Sequence, residues 1–307
     1  MIQSKNQVQL VCPACRTAEI TAETDGVLDA QYRCQRCHKQ WPVQGNLPIL
    51  LRRFEALRGR RGEPSHADAQ TLLQTWAPAH WGALAGLPQG QMPWLAKWLP
   101  GEHELPPGPV LVLGCGAGAE LARLHLPKRE IWALDAAMVL LEWLQKALEN
   151  QKFMLPTPQG LVQAHWPVKI HQRLKRVHWL VGDAHDPPFA GEQFACVIAL
   201  NLLDAVARPL LVLQQCEALL APGGLLLLTT PHQWQENVTP LDEQLPNLWP
   251  HLPDREGLIR LATGQILPQV GADLLLEREA DGLGWTLPLG NRRSVRYEVQ
   301  ALRLRKV

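Results

Sequence analysis

The sequence predicts an α/β fold on an open, mostly parallel sheet, preceded by a small metal-stapled module. Three observations predict it. Val110-Leu-Val-Leu113 is a run of four branched apolar residues that feeds into Gly114, Gly116 and Gly118, the pattern of a buried parallel strand ending in a tight backbone turn. Further short apolar runs follow at spacings that leave room for crossover helices, ending in an acid, an amide or a Thr-Thr pair. Ahead of them stand two Cys-x-x-Cys pairs separated by 18 residues.

The chain has 307 residues, 46% of them hydrophobic, which is enough to bury a full core and suits one large domain plus a small one. A formal charge of +1 gives no general pull toward nucleic acid or membrane, so such a partner would need a local basic patch. Arg52, Arg53, Arg58, Arg60 and Arg61 are one candidate, and a solvated linker is the other reading of that run. No apolar run reaches about 18 residues, and the first residues lack a basic segment followed by an apolar one. Neither a membrane span nor a signal peptide is expected, and the expected location is cytoplasmic. Aromatic usage is skewed, with 12 Trp against 4 Phe and 2 Tyr, a bias that the sequence alone does not explain.

Of the seven cysteines, Cys12, Cys15, Cys34 and Cys37 make the two pairs, while Cys115, Cys196 and Cys216 sit in apolar surroundings. That is metal usage and not a disulfide framework. Four thiolates from two tight turns suit a tetrahedral structural Zn2+, which substitutes for a core too small to be stable alone. His38 follows Cys37 directly, but four cysteines make a histidine ligand unnecessary. The expected zinc ribbon spans residues 1–51. Residues 52–108 then read as linker and helical lid, with a basic joint at 58–62 and an apolar helix near 69–84 that Pro78 kinks or divides. A Trp-rich segment at 92–98 follows, and Pro100, Pro106, Pro107 and Pro109 enforce an extended approach to the glycine strand.

Residues 109–307 form the cofactor domain. Glycines at alternate positions let the backbone approach a bulky ligand, and a helix opening at Glu120 would face it with free N–H groups. Residues 130–135 read as a second strand whose terminal Asp135 lies 19 residues beyond Gly116, placed to accept from two ribose hydroxyls. Gly114-x-Gly116-x-x-Ala119 also satisfies the relaxed nicotinamide fingerprint, so the glycines alone leave a dehydrogenase open.

Three later stretches resemble, in order, the class I S-adenosylmethionine-dependent methyltransferases. Residues 177–189 are similar to the strand and loop that hold the adenine, with Asp183 near its exocyclic amine; residues 194–201 to the fourth strand, which ends facing the methyl; and residues 219–230 to a helix end, a Pro-Gly-Gly turn and the fifth strand. The resemblance implies a doubly wound, seven-stranded, mostly parallel Rossmann-like sheet. It implies S-adenosylmethionine held by Gly114, Cys115, Gly116, Gly118, Asp135, Ala136, Asp183, Ala184 and Asn201. It also implies a lid over cofactor and substrate, for which Trp76, His80 and Trp81 are candidates. Val112 departs from the family, standing where Asp or Glu is frequent, which weakens the expected contact to the methionine amine. Residues 41–51 are similar to the small zinc-ribbon subunit that activates several methyltransferases, implying a packing and recruitment role and a protein partner through the ribbon.

In an open α/β sheet ligands gather at the carboxyl ends of the strands, so the acceptor should be framed by Asn201 to Asp204, by residues 230–239 and by the tail at 283–297. These loops resemble those of mercaptohistidine N-methyltransferases. His232 is the candidate base or orienting group, and Asn201 and Asp204 are candidates for fixing the acceptor. Residues 151–176 read as an inserted surface loop carrying Lys169, His171, Arg173, Lys175 and Arg176. Residues 295–305 read as a last strand with a bulge near Ala301 and with Arg296, Arg303 and Arg305 on its exposed side. The expected activity is methyl transfer to a small molecule or peptide side chain, an imidazole nitrogen among the candidates. A zinc ribbon ahead of a class I domain also resembles the layout of a bacterial rRNA guanine methyltransferase, so an rRNA or tRNA base is the alternative acceptor. A non-catalytic binding or activator protein of the same fold is the rival from another class.

Overall fold

The computed structural model describes residues 8–17, 19–23, 31–52, 66–288 and 292–307, so Arg53, Arg58, Arg60 and Arg61 of the basic joint lie outside the described residues. The N-terminal module is an antiparallel sheet of β1 (Ile20–Glu23), β2 (Gln31–Cys34), β3 (Gln40–Gln44) and β4 (Leu47–Pro48), paired in chain order. Gly45, at φ 61°, takes the first central position of the two-residue turn between β3 and β4, which an L side chain would occupy only with strain.

After α1 (His66–Trp81) comes the large sheet. Its strands and helices run β5 (Val110–Leu113), β6 (Ile131–Asp135), α2 (Met138–Glu149), the hairpin β7 (Lys152–Thr157) and β8 (Gly160–His165), α3 (Val168–Leu174), β9 (His178–Val181) and β10 (Phe194–Leu200). They continue with α4 (Pro209–Leu219), β11 (Leu220–Thr230), α5 (Asp254–Ala262), β12 (Leu274–Pro288) and β13 (Ser294–Lys306). The seven-stranded order is β12-β13-β11-β10-β5-β6-β9. β9, β6, β5, β10 and β11 are parallel neighbours and β13 runs antiparallel between β11 and β12, which is the expected doubly wound, mostly parallel sheet. Strand order reverses between β5 and β10, the switch point at which such sheets open a crevice.

Both faces are covered. Val110 and Val112 point into one core with α1 and α2, and Leu111 and Leu113 point into the other with α4 and α5. This is the period-two alternation of a strand buried on both sides. Seven tryptophans use the indole N–H as a staple to another segment. Trp41, Trp81, Trp94, Trp143, Trp166 and Trp179 donate to the carbonyls of Leu51, Ala117, Gly284, Met154, Ala147 and Leu174, and Trp249 donates to Asp254. The excess of Trp over Phe thus has a physical use, because only the indole adds a donor to its apolar area.

Several expectations need correction. No helix opens at Glu120; residues Glu120–Ala122 form a single 3-10 turn, and Leu121, Leu124 and Leu126 then bury themselves before Pro127. Pro78 lies inside α1 without dividing it. The insertion at 151–176 is not a loop but the β7–β8 hairpin and α3; its Phe153 and Trp166 stack at 4.3 Å, and Trp166 meets Trp81 of α1 at 4.7 Å. His171 is buried against the Leu148 carbonyl, and Arg173 donates to the Ala122 carbonyl. The Pro-Gly-Gly segment is taken into β11 as a bulge, where the β10 register shifts between Phe194 and Cys196. At the far edge the extra residues sit in β12, and β13 runs without interruption beside β11. The phase slip at Ala301 marks the point where β13 becomes an inner strand buried on both faces. Arg303 is consequently buried and paired to Glu104 at 2.7 Å, while Arg296 is exposed as expected.

The N-terminal module caps the β9 edge of the sheet. Ile49 bridges Val181 in parallel and the Leu50 N–H donates to the Val181 carbonyl at 2.9 Å, so the edge strand is not left open. Val11 donates to Pro188 and Ala190 to Gln9, each at 3.0 Å, and Arg16 meets both the Pro187 carbonyl and Asp186. The module therefore holds the loop between β9 and β10 from outside.

Candidate active site

The four sulfurs of Cys12, Cys15, Cys34 and Cys37 lie within 4.8 Å of one another, with Cys12–Cys37 at 3.6 Å and Cys15–Cys34 at 3.7 Å. A tetrahedron of thiolates around zinc, with bonds of about 2.3 Å, has edges of roughly 3.8 Å. Backbone N–H groups of Cys15, Arg36 and Cys37 point at these sulfurs, and the Thr17 hydroxyl joins them. Hydrogen bonds from Thr17 bring the Cys15 thiol down to about 6, whereas burial pushes Cys12 up to about 12. Arg16 and His38 occupy matching positions after the two pairs, both with positive φ and both donating backward to the first cysteine carbonyl of the pair. His38 is exposed and stands outside the ligand group.

At the tip of β5, Gly114, Gly116 and Gly118 all adopt positive φ. A Cβ would meet Leu202 at Gly114, 2.6 Å away, and Trp179 at Gly118, 2.7 Å away, so two of these glycines are required by protein packing itself. At Gly116 it would meet the His80 ring at 3.1 Å, so this turn lies under α1. His80 Nδ1 accepts the Ala119 N–H at 3.1 Å, taking up a donor that the absent helix would have offered to a ligand. Trp81 donates to Ala117 at 2.7 Å, the second tie between α1 and the turn. Asp135 accepts the N–H groups of Gly116 and Ala137, each at 2.7 Å, and spans the turn and the start of α2. Burial raises its carboxyl above the usual carboxylate range, against the pull of those N–H groups and of His80. Cys115 is buried and its thiol raised by desolvation, so it contributes backbone only. Ala136 is exposed beside Asp135, and Ala184 is buried beside Asp183.

Asp183 sits at the β9 exit. Its Oδ1 accepts the His185 N–H and, at 2.6 Å, His185 Nδ1. His185 Nε2 faces the Arg208 N–H at 3.1 Å and must accept there, so Nδ1 carries the proton. Sequence reasoning missed His185; its only signal is the two-residue spacing from Asp183 on one loop.

The three acceptor candidates divide between the two faces. Asn201, at φ 50°, ends β10; its N–H donates to Thr229 and its Oδ1 accepts the Thr229 hydroxyl at 2.8 Å. By strand alternation Thr229 lies on the Leu225 and Leu227 side, which is the α1 face. His232, at φ 52°, follows β11; its N–H donates to the Thr230 hydroxyl and its Nε2 lies 2.9 Å from Gln300 Oε1. Gln300 reaches the Arg255 carbonyl, so this group belongs to the α5 face. Asp204 is buried there with Oδ2 accepting the Gln233 N–H, and desolvation raises its carboxyl while nearby His232 opposes the shift. Asp204 Oδ1, His232 Nδ1 and Trp234 Nε1 are buried without a hydrogen-bond partner. Such atoms are rare because each costs the desolvation of a polar group, and strained residues beside them mark a site more often than a defect.

A roof spans the strand tips. α1 is tied to the β5 tip, and the β12–β13 hairpin extends beyond the last β11 pair, Thr230 with Gln300. They meet through Trp76 stacked on Trp285 (centroids 6.5 Å apart) and Gln91 paired with Thr286, and Trp285 stacks in turn on Tyr297 at 5.0 Å. Since β10 and β11 lie between β5 and β13, this contact crosses their tips.

Residues 111–228 match the family model described as a methyltransferase domain. No curated protein matches the sequence. Among solved structures, the CurJ carbon methyltransferase is similar at 18% identity and TM-score 0.42, over 67% of this chain and 50% of that one. Magnesium protoporphyrin IX methyltransferase from Synechocystis PCC 6803, with bound S-adenosylmethionine, is similar at 13% identity and TM-score 0.40, over 69% and 76%. The N-methyltransferase NodS from Bradyrhizobium japonicum, in complex with S-adenosylhomocysteine, is similar at 14% identity and TM-score 0.38, over 65% and 78%. Together with the ordered β5 to β11 motifs, the match identifies residues 111–228 as a methyltransferase domain on a Rossmann-like sheet.

Proposed function

We propose that this methyltransferase acts on a nitrogen of a small molecule or peptide side chain, an imidazole being the leading candidate, and that its four-cysteine module holds a structural zinc. The observation that carries the reading of the acceptor is the aromatic roof. Trp76, Trp285 and Tyr297 cross the tips of β10 and β11, so an acceptor reaching Asn201 enters beneath stacked rings, which suits a compact planar group. The basic residues Lys128, Lys175 and Arg176 instead line a shallow cleft at the opposite end of β6 and β9, away from the strand tips, where they would not guide RNA to the chemistry.

S-adenosylmethionine supplies an electrophilic methyl on a sulfonium. Asp135 and the Gly114–Gly118 turn would hold its ribose and methionine end, Asp183 and Ala184 its adenine end, and the Asn201 amide would orient the acceptor. The half-buried Asp135, desolvated and with two short N–H contacts, is the kind of carboxylate that trades backbone donors for ribose hydroxyls. Calorimetric titration with S-adenosylmethionine tests the cofactor site, and binding unchanged by Asp135→Ala would refute it. A tritiated-methyl screen of cell extract split into small-molecule, protein and RNA fractions tests the acceptor. Label confined to RNA would overturn the reading in favour of a base methyltransferase.

A further inference from the structure

The reading above leaves Gln300 unused, yet it is buried and spent entirely on one side chain and one carbonyl. Its Nε2 lies 2.9 Å from the Arg255 carbonyl oxygen. A carbonyl only accepts, so the amide NH2 must face it, and Oε1 must face His232. An amide oxygen also only accepts, so His232 Nε2, 2.9 Å away, carries the proton. In the neutral ring Nδ1 is then a bare lone pair, buried and without a partner. We propose that Gln300, anchored on the Arg255 carbonyl, is a positioning residue that fixes the Nε2–H tautomer of His232 and thereby presents Nδ1 as a proton acceptor at the strand tips.

The inference rests on the reading of those tips as the acceptor site. As the acceptor nitrogen bonds to the methyl carbon, the carbon–sulfur bond breaks with its pair left on sulfur, and the N–H proton of the acceptor passes to His232 Nδ1. The imidazolium returns that proton to water. Among the described residues, the buried Asp204 from the turn after β10 bears on the ring, and Arg255 of α5 contributes its backbone carbonyl through Gln300 while its guanidinium pairs with Glu279. Asp204 Oδ1, itself unpaired, stabilises the imidazolium once it forms. Without Gln300, nothing opposes the other tautomer, in which Nδ1–H turns to Asp204 and the base is lost.

Nitrogen-15 chemical shifts of the histidine-labelled full-length protein read the tautomer directly and need no substrate. The expected wild-type result is the Nε2–H tautomer for the neutral His232 ring. In Gln300→Met the Nδ1–H fraction should rise roughly five- to tenfold, the effect of one lost hydrogen bond. Gln300→Glu still offers an acceptor to Nε2–H, so it should keep the wild-type tautomer. A wild-type Nδ1–H form, or the same tautomer ratio in Gln300→Met, overturns the assignment, and a merely structural Gln300 would move stability but not this ratio. Failure of the methyl-transfer reading shows separately, as absence of label in the extract screen while the tautomer results stand.

Discussion

Removing the metal from the N-terminal module should weaken cofactor binding although none of the module's four cysteines belongs to the cofactor site. The module clamps the loop between β9 and β10, which carries Asp183, through two backbone hydrogen bonds, Val11 to Pro188 and Ala190 to Gln9, and through Arg16 on Asp186 and Pro187, and it holds the end of β9 just before the loop through Leu50 to Val181. At about 1 kcal/mol for each neutral bond and about 0.5 for the partly exposed ion pair, the clamp contributes roughly 3–4 kcal/mol to ordering the loop. If all of it were lost, the competent fraction would drop by a few hundredfold at most, and the apparent Kd would rise by the inverse of what remains. Phe189 still packs edge-on against Phe194 and Trp132, so the loop retains an inner anchor. The expected loss is therefore roughly five- to thirtyfold. The assay is calorimetric titration of S-adenosylmethionine into full-length protein before and after chelation, with zinc content measured on the same samples and circular dichroism confirming that the large domain stays folded. Unchanged affinity in folded, metal-free protein would refute the coupling, and less than about half an equivalent of zinc as purified would refute the metal site.

Three further outcomes follow from the same geometry. Burial holds the Asp204 carboxyl above its unfolded value, so its contribution favours the fold at low pH and is lost as pH rises through the folded value. Asp204→Asn should thus be more stable than wild type at neutral pH, with the gap closing below the ordinary carboxylate range; urea unfolding across pH tests this, and a pH-independent gap contradicts it. Trp81→Phe removes a buried 2.7 Å hydrogen bond to the glycine turn and should cost about 1–3 kcal/mol, read as a Tm drop of several degrees together with weaker cofactor binding. Asn201→Gly keeps the left-handed backbone at no steric cost but deletes the amide, so stability should stay within about 1 kcal/mol while methyl transfer to the acceptor found in the screen falls at least about a hundredfold. Retained activity would remove Asn201 from the acceptor site.

The parts legible in the sequence were those encoded by local period and spacing. Val110–Leu113, the acid-ended β6 and the two cysteine pairs each declare themselves within a few residues, and the structure places all of them as expected. The failures share a cause, which is long-range packing. Packing also adds a second reason for glycine at Gly114 and Gly118 that local spacing does not show, since a Cβ there would meet Leu202 and Trp179, distant in sequence. Residues 120–126 have helix-like spacing of leucines, yet His80 from α1 satisfies the Ala119 N–H and the turn stops at Ala122. Arg303 reads as an exposed position in an alternating strand until Glu104, on the segment before β5, covers it. The hairpin at 152–165 escaped because its apolar face answers to Trp81 and not to a local period.

The separation of Asn201 from His232 and Asp204 carries the most consequence for chemistry. In an extended strand, neighbouring residues face opposite sides, so Thr229 and Thr230 at the end of β11 present their hydroxyls to different cores. Asn201 is bound to the first and His232 to the second, and both residues leave their strands with positive φ, a conformation that turns the chain sharply at the tip. A loop-level reading places the three residues in one ring; the pleat distributes them across the sheet. An acceptor touched by both Asn201 and His232 must therefore lie over the tips of β10 and β11, beneath the Trp76–Trp285 contact, since neither face alone offers both groups. That constraint favours a short planar acceptor over a nucleotide still attached to its strand, which would need a groove leading away from the tips on at least two sides.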